Sequence, residues 1–414
     1  MLLQVLGFGV LLLAVPPTLV LAAECLLALL PTPRAPWKGA SRPRLAVLVP
    51  AHDEEALLPR ALRSIRNELA PGDRVLVVAH DCRDATAALA RAFGAEVIEP
   101  RTASTSTSRG KSDAVLAGLA HLALGTPPEI VVILDADSVL HRGSLAALTR
   151  AAGFHRGPVQ AEYVFQAPRG ARGDVSRFSI LLKNVVRPRG LHRAGLVCLV
   201  TGSGLAFPLA ALRGVPQGDG SIAEDTQLAL DLARRGTRVR FVPEARVTSE
   251  LPLATDSAHR QHRRWEHGHL DLLLRSPALL LEALARRNAA LFTLALEVAV
   301  PPLSMLCGLL LLACACLAAA PPSAWARIGL GLSLGSLGAL VLVLLTTTCN
   351  QLGLRAVLRT ACGIPAYLLW KLPVLAAFAL NRERSWTKTP RDPRTRSWNA
   401  STTAAHSTGG SRRT

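Results

Sequence analysis

The stretch VVILDADSVL, Val131 to Leu140, decides the fold and raises the question of function. Four aliphatic residues run directly into two carboxylates that stand one residue apart, Asp135 and Asp137. Burying acids at the end of a strand is costly unless they bind a partner such as a divalent metal or meet phosphate chemistry. The stretch therefore predicts a buried strand that ends at a polar site.

Asp135 and Asp137 allow two chemical interpretations and one structural interpretation. In a haloacid-dehalogenase-type phosphatase, the first Asp of such a motif attacks phosphorus and the second acts as a general acid. In a nucleotide-sugar transferase, the same spacing holds Mg²⁺ or Mn²⁺ against a diphosphate. The structural interpretation is a helix N-cap with an additional acid. The motif by itself does not discriminate among them.

The surrounding residues 45–285 alternate strand and helix patterns. Apolar runs such as LAVLVPAHDEE and RVLVVAH are each followed by a segment with helical spacing. This alternation predicts an α/β fold in which helices cover both faces of a parallel sheet. Ligands of such sheets bind beyond the carboxyl ends of the strands, which places 50–55, 79–84 and 135–138 at one site. The sequence has neither GxGxxG after the first strand nor GxxxxGK[ST], which counts against a Rossmann dinucleotide site and a P-loop.

Long apolar segments flank this region. Residues 1–23 and 328–349 contain no charged residue, and 288–320 contain only Glu297. Because a membrane-spanning helix needs about 20 apolar residues, we expect an N-terminal membrane anchor at 1–30 and two transmembrane helices within 288–350. The first segment lacks a basic start and is too long for a signal-peptide core, so we expect it to be retained.

The end of the chain is harder to interpret. Residues 361–380 are apolar but contain Lys371 and two prolines, which predicts an interfacial helix, with a third C-terminal span as the alternative. Residues 391–414 are basic and low in apolar side chains, so we expect a disordered tail.

The net charge of +18 would suit a nucleic-acid-binding protein, but its distribution points elsewhere. Basic residues cluster beside the apolar segments, which is the positive-inside pattern. We therefore expect an integral protein of a bacterial inner or cell membrane whose catalytic domain is cytoplasmic, with no nucleic-acid partner. The eight cysteines show no metal-ligand spacing.

Two later motifs decide how the Asp pair is interpreted. Glu224 and Asp225 begin an amphipathic helical pattern, and Gln261-His262-Arg263-Arg264-Trp265 follows downstream. In this order, the motifs resemble the DxD, ED and Q(Q/R)xRW signatures of membrane-bound family-2 glycosyltransferases, the group of cellulose, chitin and hyaluronan synthases. Further matches are VPAHDEE at 49–55, RGKSDAVLAGL at 109–119 and TGSGLAF at 201–207.

The resemblance implies a nucleotide-sugar-binding, GT-A-like mixed sheet with helices on both faces, accompanied by transmembrane helices. It also implies an inverting transferase in which Asp225 is the general base with Glu224 beside it. Asp137 would bind Mg²⁺ or Mn²⁺ and Asp135 would face the nucleotide and share the metal. The other implied nucleotide-binding residues are Pro50, Ala51, His52, Glu54, Asp81 and Lys111. The implied diphosphate or acceptor residues are Gln261, Arg263, Arg264 and Trp265.

The second strand turn departs from the family pattern. The family usually has an Asp where this chain has His80, with Asp81 next and Asp84 matching a later acid. Either Asp81 substitutes by a small shift, or the base of the donor is recognised differently. A UDP-sugar is the expected donor, and this departure bears directly on that assignment.

The sequence therefore predicts a membrane-embedded, metal-dependent glycosyltransferase that acts on a membrane lipid or a polysaccharide. Few membrane segments favour a lipid acceptor, because a polymer would need export partners. Two alternatives are the phosphatase that uses Asp135 and Asp137, and a catalytically degenerate membrane scaffold or nucleotide sensor. The phosphatase leaves the QHRRW motif unexplained, and His80 is the best support for the scaffold.

Overall fold

The computed structural model describes residues 1–101, 111–166, 171–212, 223–251, 255–353 and 378. Two of the predictions lie outside these residues: the disordered tail at 391–414 and, apart from Phe378, the interfacial or third membrane helix at 361–380.

The secondary structure follows the alternation expected from the sequence. The strands are β1 Leu45–Ala51, β2 Arg74–Ala79, β3 Glu96–Ile98, β4 Ile130–Ile133, β5 Val139–Leu140, β6 Val159–Gln166, β7 Leu205–Pro208 and β8 Arg240–Glu250. The helices are α1 Leu2–Leu27, α2 Leu58–Arg66, α3 Thr86–Ala92, α4 Lys111–Leu122, α5 Ser144–His155, α6 Ala171–Leu181, α7 Arg187–Arg193, α8 Glu224–Arg234, α9 Thr255–Ala285, α10 Ala289–Ala299, α11 Leu303–Ala318 and α12 Ala324–Leu352. A π-helical turn, Leu182–Val186, joins α6 to α7, and a 3-10 turn, Leu209–Leu212, follows β7.

Within the described residues, eight strands form one sheet in the order β3-β2-β1-β4-β7-β6-β8-β5. The half formed by β3, β2, β1 and β4 is parallel, as the strand–helix alternation predicts. Beyond β4 the sheet is mixed, because β7 pairs antiparallel with both β4 and β6. The register between β6 and β8 shifts at Ala161/Glu162.

Alternate residues of the central strands pack on opposite faces of the sheet. Leu48, Val78 and Val131 belong to the apolar cluster that includes α4, α8 and α10, whereas Val49 and Val132 belong to the cluster that includes α2 and α5. Both faces are covered, so β1 is buried along its whole length. This is why the strand reads as a continuous apolar run instead of an alternating one. The predicted α/β fold with helices on both faces is confirmed.

Two helices are long and apolar enough to cross a membrane: α1, and Ala324–Thr347 within α12. The segment 288–320 was expected to be one transmembrane helix, but it consists of α10 and α11 with a bend of 67° between them. Pro301 and Pro302 occupy the break, and a proline cannot donate the backbone hydrogen bond that would continue the helix. The described chain thus has two candidate spans, or three if the bent pair counts as one.

Candidate active site

A cavity of about 1030 Å³ opens at the carboxyl ends of β1, β2 and β4. Its wall contains every predicted site residue but one: Pro50, Ala51, His52, Glu54, Asp81, Lys111, Asp135, Asp137, Glu224, Asp225, Gln261, Arg264 and Trp265. The fold therefore brings together residues that are up to 215 positions apart in the chain, from Pro50 to Trp265.

Arg263 is the exception: it is exposed and does not line the cavity. Consecutive residues of an α-helix point about 100° apart, and Arg263 and Arg264 both lie on α9. The two side chains therefore leave the helix in different directions, and the structure places Arg264, not Arg263, on the wall of the cavity. That these arginines hold a diphosphate stays a prediction.

Lys111 and Asp135 form an ion pair at the centre of the cavity. Lys111 is the first residue of α4, and its Nζ lies 2.6 Å from Asp135 Oδ1. The ammonium group also donates to the carbonyl oxygen of Gly202 at 2.6 Å. Burial raises the pKa of Asp135 to about 6, because the lowering effect of Lys111 is smaller and the charge of Asp137 raises the pKa further. Asp135 is therefore held ionised at neutral pH by a lysine on another element.

A chain of buried hydroxyl groups lies behind Asp137. Ser203 Oγ donates to Ser138 Oγ at 2.9 Å, and Ser138 Oγ is 2.8 Å from Ser249 Oγ. Ser249 Oγ is in turn 3.4 Å from Asp137 Oδ1, and Tyr163 Oη donates to Ser249 Oγ at 2.9 Å. Because an ionised carboxylate can only accept, the hydroxyl hydrogens are all oriented toward Asp137.

The same hydrogen-bonded chain of hydroxyl groups also reaches Asp135, whose backbone amide donates to Ser203 Oγ at 3.1 Å. The hydroxyl groups come from β6, from β8 and from the residues after β4 and before β7. No role was expected for any of these four residues, although Ser138 lies in the stretch 135–138 and Ser203 in TGSGLAF. Tyr163 and Ser249 are single residues on separate strands and form no motif, so no signal in the sequence could have found them.

Glu224 and Asp225 occupy the first turn of α8, where the helix dipole favours negative charge. Glu224 Oε2 accepts a hydrogen bond from Ser112 Oγ at 2.6 Å, whereas its Oε1 is buried with no hydrogen-bond partner among the described residues. Burial raises the pKa of Glu224 to about 7. Glu224 is therefore partly protonated at neutral pH.

Gly202 lies directly against Asp225. A Cβ atom at this position would stand 2.9 Å from Asp225 Oδ2, and the backbone has φ +93. Both the left-handed conformation and the close approach require glycine here. Gly202 therefore links Asp225 to the Lys111–Asp135 pair, since its carbonyl oxygen accepts from Lys111.

The predicted nucleoside residues lie at the ends of β1 and β2. His52 Nδ1 is 2.7 Å from the carbonyl oxygen of His80, and the amide of Glu54 donates to Thr86 Oγ1 at 2.8 Å. Asp81 has φ 50, which fits the sharp turn after β2. His80, at the position that departs from the family pattern, is buried and lines the cavity with Asp81. Both residues therefore lie in the part of the cavity where the sequence predicts the nucleoside.

Asp135 and Asp137 fit a divalent cation. Carboxylate oxygens are hard ligands, and Mg²⁺ or Mn²⁺ is commonly held by one or two carboxylates together with phosphate oxygens of the substrate. Both carboxylates line the cavity. The hydroxyl chain contacts the carboxylate of Asp137 and the backbone amide of Asp135, and so helps to fix the positions of the two acids. The donor set therefore suits a site that is completed by a diphosphate.

The other end of the cavity reaches the apolar helices. Leu21 of α1 lines it, together with Val300, Pro301, Pro302 and Leu303 at the break between α10 and α11. Trp265 of α9 stands in the wall and makes an edge contact with Phe165, with 5.6 Å between ring centroids. One cavity thus connects the carboxylates to a candidate membrane span.

Comparisons with known proteins identify the family and the fold. A sequence model of the family described as "Glycosyltransferase like family 2" matches residues 43–268. The probable glycosyltransferase YdaM of Bacillus subtilis (strain 168) is 23% identical over 245 residues, which cover 56% of this chain and 57% of that protein. This chain therefore matches little more than half the length of that relative.

Among solved structures, the mannosyltransferase PcManGT from Pyrobaculum calidifontis, in complex with GDP-Man and Mn²⁺, is similar. It is 21% identical with a TM-score of 0.54, and the match covers 92% of this chain and 100% of that one. This similarity confirms the GT-A-like fold. With more than half of its length matched by the family model, the chain belongs to glycosyltransferase family 2.

Proposed function

We propose that this enzyme is a membrane-embedded, metal-dependent, inverting glycosyltransferase that moves a sugar from a nucleotide-sugar to a lipid or polysaccharide acceptor. The observation that carries the proposal is the single cavity that holds Asp135, Asp137 and Asp225 and extends to Leu21 and Leu303. Because carboxylates and apolar helices line the same cavity, we expect the acceptor to be a molecule that belongs to the membrane.

Asp225 is the base in this proposal. The acceptor hydroxyl attacks the anomeric carbon from the face opposite the diphosphate, its proton passes to Asp225, and the nucleoside diphosphate leaves with the bonding electrons. Glu224 stands beside Asp225 in the first turn of α8, and burial raises the pKa of Glu224 to about 7. Arg264 lines the same cavity and supplies a cation that can bind the departing diphosphate.

Asp135 and Asp137 would hold Mg²⁺ or Mn²⁺, which when bound neutralises charge on the leaving diphosphate. Lys111 lies beside them and holds Asp135 through its ammonium group. Pro50, Ala51, His52, Glu54 and Asp81 would receive the nucleoside. PcManGT binds GDP-Man and Mn²⁺, whereas the sequence motifs resemble enzymes that use UDP-sugars, so both donor classes are to be tested.

The membrane placement is part of the proposal. α1 would anchor the chain, residues 45–285 would form the cytoplasmic catalytic domain, and α10 to α12 would lie in the bilayer. The basic residues beside the apolar segments support this orientation.

The test measures nucleoside diphosphate release by membranes that contain the full chain. A panel of UDP- and GDP-sugars is supplied with Mn²⁺, Mg²⁺ or EDTA, and Asp225→Asn is compared with Glu244→Gln. Glu244 is exposed on β8 and controls for loss of a carboxylate. We expect metal-dependent release that is lost in Asp225→Asn and kept in Glu244→Gln. Nucleotide binding without release from any donor would indicate a scaffold or sensor instead.

A further inference from the structure

Lys183 is a cation that the mechanism above does not use. It lies in the π-helical turn Leu182–Val186, and π-helical turns are frequent at functional sites. Its side chain is exposed to the cavity and lines it. Among the described residues, no carboxylate lies within ion-pair distance of Lys183. A lysine that faces a cavity without an ion-pair partner is suited to receive an anion from outside.

The neighbouring cation, Arg187, is already neutralised. It begins α7 and forms ion pairs with Glu24 of α1 and with Glu297 of α10, where the Nη2–Oε1 distance is 3.4 Å. Its Nη2 also donates to the carbonyl oxygen of Glu297 at 3.1 Å. Arg187 is therefore held as a structural link between three helices. Of these two neighbouring cations, Lys183 is the one placed to bind a ligand.

The residues around Lys183 show where it lies relative to the apolar helices and to the proposed base. Leu182 and Val186 pack into an apolar cluster with Leu21 of α1, with Val300 and with Leu306 of α11. Lys183 and Asp225 line the same cavity. Lys183 thus shares a cavity wall with the proposed base, and its neighbours in the turn pack against the helices that are candidates for the bilayer.

The electrostatic surroundings of Lys183 fit an incoming anion. Although Lys183 faces the cavity, the surrounding protein desolvates its ammonium group and lowers its pKa, and Arg187 lowers the pKa further. The charges of Glu266, Glu297 and Asp225 raise the pKa. A bound anion would favour the charged form of Lys183, because it would be a close partner of opposite charge. A neutral glycan would leave this cost uncompensated.

We propose that the acceptor is a phosphate-bearing lipid whose phosphate group binds Lys183 and whose apolar chain leaves the cavity beside Leu21 and the α10–α11 break. Val300, Pro301, Pro302 and Leu303 line that exit, and the prolines keep the break open by preventing a continuous helix. This inference rests on the proposed function for the reaction itself and adds the chemical class of the acceptor.

The test measures binding and requires no turnover. The full chain, in neutral maltoside micelles, is labelled with a photoreactive decyl phosphate, and the labelled peptides are mapped by mass spectrometry. Unlabelled decyl phosphate, decyl glucoside and inorganic phosphate are the competitors. We expect labelling of α1 and of the α10–α11 break that decyl phosphate suppresses and that the other two leave unchanged at equal concentration.

The variants are Lys183→Gln, Lys183→Arg and the matched control Lys38→Gln. Lys38 is exposed and does not line the cavity. A hydrogen bond between a lysine and a phosphate is a charge-assisted contact, and its loss should weaken binding by about tenfold to a hundredfold. We expect this loss in Lys183→Gln, whereas Lys183→Arg and Lys38→Gln should keep the binding of decyl phosphate.

Three results would overturn the inference. Equal competition by decyl glucoside would mean that the phosphate is not recognised, and equal competition by inorganic phosphate would mean that the site takes a free anion and no lipid. Unchanged labelling in Lys183→Gln would mean that another group binds the phosphate. If Lys183→Gln does not fold, the competition series on the wild-type chain still decides between these outcomes. Nucleoside diphosphate release is measured separately, so failure of the proposed function would be recognised independently.

Discussion

The hydroxyl chain behind Asp137 leads to a prediction that separates stability from metal binding. Ser249 is the branch point, because its Oγ contacts Asp137, Ser138 and Tyr163. Ser249→Ala removes all three contacts and leaves two buried hydroxyl groups without this partner. Tyr163→Phe removes only one contact and leaves Ser249 able to donate to Asp137.

The expected magnitudes follow from these contacts. A buried polar group that loses its partner costs about 1–3 kcal/mol, so Ser249→Ala should lower the free energy of unfolding by about 2–4 kcal/mol. Tyr163→Phe removes both a donor and its need for a partner, so it should cost about 1 kcal/mol. Loss of a group that orients a metal ligand weakens metal affinity by about tenfold to a hundredfold, and we expect this only in Ser249→Ala.

Thermal unfolding of the purified chain measures the first effect. Titration with Mn²⁺ in the presence of nucleoside diphosphate, followed by electron paramagnetic resonance, measures the second. The reasoning would be refuted if Ser249→Ala bound Mn²⁺ as tightly as the wild type. It would also be refuted if Tyr163→Phe lost as much Mn²⁺ affinity as Ser249→Ala, because the effect would then come from general loosening of the site.

Three further predictions concern the cavity wall. Burial raises the pKa of Asp135 to about 6, so this carboxylate takes up a proton as the pH drops through 6. Mn²⁺ affinity should fall over the same range, because the protonated acid is a poor metal ligand. A titration that is flat from pH 7 to 5 would contradict this. Gly202→Ala should abolish nucleoside diphosphate release, because the new Cβ would meet Asp225 Oδ2 at 2.9 Å. Circular dichroism should show that the fold persists, and wild-type turnover would contradict the reasoning. Arg264→Gln should reduce kcat at least tenfold, which corresponds to about 1.4 kcal/mol of activation free energy. Arg263→Gln should leave kcat at the wild-type value, and equal losses in the two variants would contradict the assignment to Arg264.

The membrane region shows where local patterns were insufficient. Hydropathy indicates that 288–320 is apolar enough to span a bilayer, and this does not depend on the shape of the segment. The bend of 67° arises at two adjacent prolines. Proline was visible in the sequence, but α1 contains Pro16 and Pro17 and is still one helix. Whether a proline pair kinks or separates a helix depends on packing against neighbouring elements, which the sequence does not display.

The site motifs show the opposite balance. DADSV, the acid pair at Glu224 and the QHRRW stretch were recognised in order, and residues of all three line one cavity. Their meeting in one cavity was therefore predictable from the motifs. The orientation was not predictable for Arg263, since either arginine of the pair could have faced the site until α9 was packed against the sheet.

The sequence by itself determined the strand–helix alternation, the apolar segments and the chemical types of the site residues, because each is encoded in contiguous residues. Only the tertiary structure decided which distant groups meet: the ion pair of Lys111 with Asp135, the hydroxyl chain that ends at Asp137, and the shared cavity of Asp225 and Lys183. Contacts between residues far apart in the chain depend on how the sheet and helices pack, and that packing leaves no local pattern in the sequence.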